Sequence, residues 1–438
     1  MEYKDTKLVK ELTKDIEGKK VLILGFGREG KANLMAVRAA GGFASLTIAD
    51  AREITREELG NEAGDIRLIC GSDYEKAMDE ADYVLKSPGV VLDRDFSDYS
   101  CKITSESELF LKVYGSQTIG ITGTKGKSTT TTLIYHILKT CGRKAVLLGN
   151  IGIPAFERLT EIEEDSIVVF ELSCHQLEHN HCSPHWALYL NLYPEHLDHY
   201  GTFDKYKEAK ENIYANQGMD DFLYCGEEVY PEAGRCRSGV TEVFYDDLID
   251  INEDEIPLKG EHNRFNITIA ASVLMDMALS EEEIKEAVKS YTPLAHRLEY
   301  CGTYDGIRFY DDSISTIPEA CIAAIQTVKD VDTVLIGGMD RGIDYLSLID
   351  FLAKDKIPNI ILMEATGKRI HVEMKDRAAE LYNSDRVILV DHLEDAVKEG
   401  KKRTREGHAL VMSPAAASYG IFKNFEERGD VFKELIKG

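Results

Sequence analysis

The chain has 438 residues, 43% of them apolar and 29% charged, with 34 glycines against 10 prolines. That composition excludes disorder, collagen and coiled coil, and the length corresponds to about three domains. The 52 basic and 77 acidic residues leave a formal charge of −25, which repels phosphate backbones and anionic bilayers, so neither nucleic acid nor membrane is expected as a partner. No apolar run approaches the ~20 residues that span a bilayer. The charged opening MEYKDTKLVKELTKDIEGKK is unlike a signal peptide, so a cytoplasmic location is expected. Nine scattered cysteines without a CxxC pair read as reduced thiols rather than as a zinc site or catalytic centre.

An α/β chain of three domains is expected, with boundaries at 1–107, 108–294 and 295–438. The first opens on Lys20-Val-Leu-Ile-Leu-Gly-Phe-Gly-Arg-Glu-Gly30, a buried-strand run, a glycine turn and a helix-like stretch. Its second strand, Leu46 to Asp50, ends in an acid where dinucleotide enzymes hold ribose. Alone, this pattern is weak evidence for NAD. Short strand–helix units continue through Ala81–Val90 to about residue 107.

The second domain begins with the strand Thr118–Thr122, the glycine loop Gly123-Thr-Lys-Gly-Lys-Ser128 and a Thr- and Leu-rich helix, the order a phosphate cradle requires. Lys127 is placed to reach outer phosphates and Ser128 to ligate magnesium. The strict GxxxxGK[ST] pattern is missed by one position, because residue 121 is Ile and the extra glycines stand at 120 and 123. Strands recur at Ser166–Phe170 and Ala187–Asn191, so a mostly parallel sheet is expected. The acidic stretch from about 219 to 257 reads as hairpin or loop. A break falls near Thr292–Arg297, and Val331–Gly338, Asn359–Met363, Arg386–Val390 and His408–Ser413 are spaced as βα repeats of a third domain.

Three residues stand out chemically. Glu171 and His196 follow strands whose ends open on the crevice of the phosphate loop, where magnesium needs hard ligands. Lys210 falls on the inward stripe Tyr206, Ala209, Ile213, Tyr214 of its helix. A buried ammonium beside a metal has to be neutralised or modified, unless the side chain snorkels along its own stem. The polar segments Leu258–Asn266 and Tyr310–Thr316 suit either capping or binding.

Gly120-Ile-Thr-Gly-Thr-Lys-Gly-Lys-Ser-Thr129, Gly149-Asn-Ile-Gly152, Glu171-Leu-Ser-Cys-His-Gln-Leu-Glu178, Asn191 to Asp198 and His262-Asn-Arg-Phe-Asn266 together resemble the Mur ligase family, the ATP-dependent amino-acid ligases of peptidoglycan assembly. The likeness runs along nearly the whole chain. It implies a Rossmann-like N-terminal domain, a central P-loop ATPase domain and a Rossmann-like C-terminal domain. The first domain and the ending Ser413 to Gly429 resemble the branch that adds D-glutamate to UDP-N-acetylmuramoyl-L-alanine through an acyl phosphate.

The resemblance further implies that ATP is held by Gly123, Thr124, Lys125, Gly126, Lys127, Ser128 and Thr129, with Asn266, Arg297 and Asp312 on the adenine nucleotide. Two magnesium ions are implied, one on Ser128 and Glu171 and one on His196 and carbamylated Lys210. Lys127, His196 and Lys210 are the catalytic group. Gly27, Arg28, Asp50, Arg52 and Ser87 are implied for the uridine diphosphate, and Asn150 and Ser173 with His196 for the muramoyl-alanine part. Thr316, Ser418 and Phe425 are implied for glutamate. The family's Asn-Asp-Ser-Lys-Ala-Thr is here Asp311-Asp-Ser-Ile-Ser-Thr316, losing a lysine at Ile314, and another lysine is replaced by Arg341, which retains a carboxylate clamp. L-glutamate is the near alternative substrate; an NAD-dependent oxidoreductase and a non-catalytic ATP-binding regulator are the alternatives of other classes. A monomer is expected.

Overall fold

The computed structural model describes residues 2–62, 64–244, 251–252, 255–258 and 260–438. The chain divides between Tyr291 and Thr292 into two compact units. The first unit holds two sheets and the second holds one.

The first sheet comprises β1 (Lys20–Leu24), β2 (Ser45–Asp50), β3 (Ile66–Cys70), β4 (Tyr83–Lys86) and β5 (Lys102–Thr104), in the order β3-β2-β1-β4-β5 and wholly parallel. Central parallel strands are covered on both faces, which is why β1 is a continuous apolar run. The helix α1 (Lys7–Ile16) packs on α2 (Arg28–Ala40), which follows the glycine turn after β1. A Cβ on Gly30 would stand 2.2 Å from the carbonyl oxygen of Gly25. The helix therefore approaches the loop as closely as its backbone permits. Gly30→Ala is expected to cost ~1–3 kcal/mol through overpacking; an unchanged thermal melt would refute that.

The second sheet comprises β6 (Thr118–Thr122), β7 (Ala145–Gly149), β8 (Ile167–Glu171), β9 (Trp186–Tyr189), β10 (Phe222–Gly226) and β11 (Gly239–Val243), in the order β11-β10-β9-β6-β8-β7. All its pairings are parallel. The stretch 219–257, expected as hairpin or loop, thus carries two sheet strands. Their parallel pairing excludes a hairpin, because the chain must cross back before pairing again. Residues 245–250 and 253–254 of that stretch lie outside the described residues.

Around this sheet lie α3 (Glu106–Tyr114), α4 (Lys127–Thr140), α5 (Cys174–Leu177), α6 (Leu197–Tyr200), α7 (Phe203–Ala215) and α8 (Glu261–Asp276). One apolar cluster runs from Ile23 and Leu85 of the first sheet through Phe110 of α3 to Phe170 of β8. The Phe110 and Phe170 rings meet edge-on, centroids 5.2 Å apart. A second cluster joins Leu133, Ile134 and Ile137 of α4 to Phe265, Ile269 and Val273 of α8.

The second unit holds β12 (Glu299–Tyr304), β13 (Ile307–Asp311), β14 (Val331–Gly337), β15 (Asn359–Met363), β16 (Val387–Val390) and β17 (Ala409–Met412), in the order β12-β13-β17-β14-β15-β16. Only the β12–β13 hairpin is antiparallel. No helix among the described residues is long and apolar enough to cross a membrane.

Candidate functional site

The turn after β1 is held from several sides. Asp50, at the end of β2, accepts from the Phe26 and Arg52 backbone N–H groups at 2.6 and 2.9 Å. The Arg52 guanidinium donates to the Phe26 carbonyl at 3.0 Å, and the Ser87 hydroxyl donates to the Gly25 carbonyl at 2.9 Å. Gly25 has φ 87°, and a Cβ there would press on Val90 and Ser87. Each Asp50 oxygen accepts from backbone of its own site, so the residue braces the turn while lining the cavity.

The phosphate loop is fixed by the Asn191 carboxamide, which accepts from Thr124 N–H at 3.1 Å and Lys125 N–H at 2.8 Å and donates to the Lys125 carbonyl. Gly126 caps α4 in the left-handed region at φ 83°. A Cβ there would stand 2.5 Å from Oδ1 of Asn266, so the buried Asn266 on α8 lies directly against the loop. Lys125 pairs with Glu195 at 3.2 Å. Ser128 and Thr129 begin α4 behind Lys127.

The Lys127 Nζ donates to the carbonyls of Gly123 and Thr124 at 2.9 and 3.0 Å. The Lys210 Nζ donates to the same Gly123 carbonyl at 2.7 Å. Lys210 is 1% exposed on the buried face of α7, together with Tyr206, Ala209, Ile213 and Tyr214. The helical stripe read from the sequence is present, and snorkelling is excluded. Burial, reinforced by the neighbouring Lys127 charge, pushes the Lys210 amine down to about 7. Burial also pushes Lys127 down.

Glu171 ends β8 almost wholly buried. Its Oε1 accepts from Asn150 at 2.8 Å, while its buried Oε2 has no hydrogen-bond partner among the described residues. An unpartnered carboxylate oxygen beside a phosphate loop is a fitting donor for a hard cation. His196 has φ 56°, and its ring lies 5.0 Å from that of His175. Burial pushes the His196 imidazole down, against the pull of Glu195. Burial opposes the charge of Glu195, but Lys125, Lys127 and His196 hold its carboxyl below the usual range.

A cavity of about 700 Å³ joins these groups. One wall comes from the strand ends of the first sheet: Gly27, Arg28, Glu29, Asp50 and Ser87. The other comes from the second sheet and α7, including Lys127, Asn150, Ser173, His196 and Lys210. Arg52 and Glu171 lie off the lining, one hydrogen bond from its Phe26 and Asn150, and Asn266 lies against Gly126 of the loop. Sequence reasoning singled out neither Glu29 nor Gln176. The Gln176 amide donates to Glu29 at 2.7 Å and accepts from the Ser173 backbone and hydroxyl, linking the two walls. A Ser-x-x-Gln capping box is the available signal at 173–176.

In the second unit, the ends of the neighbouring strands β13, β17 and β14 gather their own polar group. Asp312 accepts from the hydroxyls of Ser413, at 2.7 Å, and Ser315, and from Leu298 N–H. Burial pushes the Asp312 carboxyl up to about 6, against those hydroxyls and Arg297. Arg341 donates to the Thr316 carbonyl at 3.2 Å, and Met339 N–H donates to the Ala417 carbonyl beside the buried Ser418. Ser313 donates to the Phe425 carbonyl at 2.8 Å. The segments bearing Thr316, Arg341, Ser418 and Phe425 are therefore tied together. His296, Glu299 and Asp311 also cluster closely enough for a metal ion. Their groups are engaged as a brace: His296 pairs with Asp311 at 2.7 Å and Lys433 with Glu299 at 2.6 Å.

Comparison with known proteins bears on all of these elements at once. Residues 121–230, spanning the phosphate loop, Glu171, His196 and Lys210, match the Mur ligase middle domain. The UDP-N-acetylmuramoylalanine–D-glutamate ligase of Koribacter versatilis is 32% identical, over 97% of this chain and 98% of its own length. The enzyme of the same name from Clostridium acetobutylicum is 31% identical over the same shares. Among solved structures, MurF from Acinetobacter baumannii shares the fold at a TM-score of 0.60 and 15% identity, covering 97% of this chain and 91% of that one. With likeness extending nearly end to end in both directions, and not only through the ATP-binding loop, the chain belongs to the Mur ligase family.

Proposed function

We propose that the chain is an ATP-dependent ligase joining D-glutamate to UDP-N-acetylmuramoyl-L-alanine, in peptidoglycan precursor synthesis in the cytoplasm. The observation that carries this reading is the shared cavity, in which a nucleotide-type glycine turn and a phosphate loop with two convergent lysines face the same space. The near full-length relatives support the same reaction and lend nothing to an oxidoreductase.

A carboxylate is a poor electrophile and must be activated. The alanine carboxylate oxygen attacks the γ-phosphorus of ATP, forming an acyl phosphate and releasing ADP. The glutamate amine then attacks the acyl carbon, loses a proton and expels inorganic phosphate through a tetrahedral intermediate. Lys127 neutralises the transferring phosphoryl group. Ser128 and Glu171 would hold one magnesium ion, and His196 with carbamylated Lys210 the other. Magnesium supplies further charge neutralisation at the phosphate oxygens. The unpartnered Glu171 oxygen suits that role. A neutral Lys210 amine can add to the carbon of CO2 and lose a proton, becoming an anionic oxygen ligand. That exchange replaces an amine that shares the Gly123 carbonyl with Lys127 by an anion that Lys127 attracts.

Residues 1–107 hold the sugar nucleotide through Gly27, Arg28, Asp50, Arg52 and Ser87, with Asp50 and Arg52 also bracing the turn. Residues 108–294 hold ATP along Gly123–Thr129 and Asn266, and the muramoyl-alanine part at Asn150, Ser173 and His196. Residues 295–438 supply Arg297 and Asp312 for the nucleotide and Thr316, Arg341, Ser418 and Phe425 for glutamate. The enzyme works as a monomer. ADP release measured with each acceptor and each glutamate enantiomer tests the reading: turnover is expected only with UDP-N-acetylmuramoyl-L-alanine and D-glutamate together. Preference for L-glutamate would overturn the stereochemical assignment, and acceptor-independent ADP release would overturn the ligase.

A further inference from the structure

Glu29 is an unexpected residue in an anion cradle. It sits in the first turn of α2, between Arg28 and Gly30, and lines the cavity. One of its oxygens accepts from Gln176 at 2.7 Å, and the other is buried without a hydrogen-bond partner among the described residues. Behind it stand two further polar groups in the same condition. Asn33, one turn along α2 and fully buried, has neither amide atom partnered, and Glu106 of α3 has an unpartnered buried Oε2. The other Glu106 oxygen accepts from Phe156 N–H at 2.6 Å.

This neighbourhood disfavours ionised carboxyls. Burial raises Glu29 to about 7, outweighing the Gln176 hydrogen bond and the Lys86 charge. Burial, with the Glu29 charge added, holds Glu106 well above the usual carboxylate range. Lys86 of β4 is a buried cation near Glu29; burial lowers it, while Glu178 and Glu29 pull it up. Arg28 and Asp50 share the cavity wall on the nucleotide side, with His175 opposite.

The reading of this cavity as a sugar-nucleotide site, on which the inference rests, brings a diphosphate carrying two negative charges to the cradle. A titrating carboxyl beside an incoming dianion becomes harder to ionise. We propose that Glu29 is a positioning residue that holds a proton whenever the diphosphate is bound, so that sugar nucleotide and proton bind together. The protonated acid offers an O–H donor among acceptor oxygens, whereas the carboxylate repels the ligand. At low pH Glu29 already holds its proton and binding needs no uptake. As pH rises through neutrality, free Glu29 ionises, and binding must recapture the proton against a falling proton concentration.

Titration calorimetry on the full chain, with UDP-N-acetylmuramoyl-L-alanine and with UDP-N-acetylglucosamine as probes, tests this. Both probes have a diesterified diphosphate with no ionisation near neutrality. Between about pH 6.5 and pH 8, below the ionisation of the uracil ring, the wild-type dissociation constant is expected to rise by up to about tenfold per pH unit, with uptake of about one proton per ligand at the upper end, read from buffers of different ionisation enthalpy. Glu29→Gln, nearly isosteric and permanently neutral, is expected to lose about one proton of uptake and most of the affinity slope relative to the wild type, Lys210 titrating alike in both, while Glu106→Gln retains the wild-type uptake. Undiminished uptake in Glu29→Gln, loss of uptake in Glu106→Gln alone, or its absence from the wild type would overturn the assignment of the proton to Glu29. Failure of both probes to bind at any pH would overturn the reading of the cavity and the inference with it.

Discussion

Lys127→Ala is expected to lower turnover by ~10³-fold or more, the scale of loss when a group that stabilises transition-state charge is removed. The only other lysine in the loop, Lys125, is paired with Glu195 at 3.2 Å and cannot take over the role. Lys210 donates to the Gly123 carbonyl as an amine and, as the proposed carbamate, carries the wrong charge for the role. The loss is expected in single-turnover formation of the acyl phosphate, with nucleotide binding affected less. Wild-type rates in that assay would remove Lys127 from the mechanism.

The second large effect concerns Lys210. Lys210→Ala removes both a buried amine and, in the proposed chemistry, an anionic ligand, and is expected to be nearly inactive. A small carboxylic acid can enter the vacated space and present its carboxylate where the carbamate stood. Partial recovery by formate or acetate at roughly millimolar concentration is expected, since a single carboxylate binds weakly. No recovery is expected for Lys127→Ala, whose missing group is a cation. Full activity of Lys210→Ala without added acid would require a different ligand for the metal.

Lys210 also marks how far the amino-acid sequence by itself is legible. Its burial follows from helical periodicity alone, because the residues at its flanks are apolar at the right spacing and the helix keeps its period. The phosphate loop is equally legible, since strand, glycines and helix are contiguous. The two strands within 219–257 are not. β11 alternates exposed and half-covered positions at the sheet edge, and its short apolar content among acidic residues gives no strong signal. Glu29 is hidden for another reason. An acidic residue in the first turn of a helix ordinarily faces solvent and favours the helix dipole. Here Gln176, 147 residues later in the chain, closes over it. Burial imposed by a distant segment leaves no trace in local pattern.

The packing of α4 against α8 has a consequence for biosynthesis. The helix that starts at Lys127 has its apolar face covered by residues near the end of the first unit, Phe265 to Val273. Ribosomes add ~5–20 residues per second, so on the order of ten seconds separate the emergence of Leu133, Ile134 and Ile137 from that of their cover. The central strand β6 likewise acquires both neighbours only after β8 and β9 have been made. During that interval the nascent chain presents an uncovered helix face and an unfinished sheet. A chain released before residue 261 would keep every residue of the phosphate loop and still lack the α8 cover of α4.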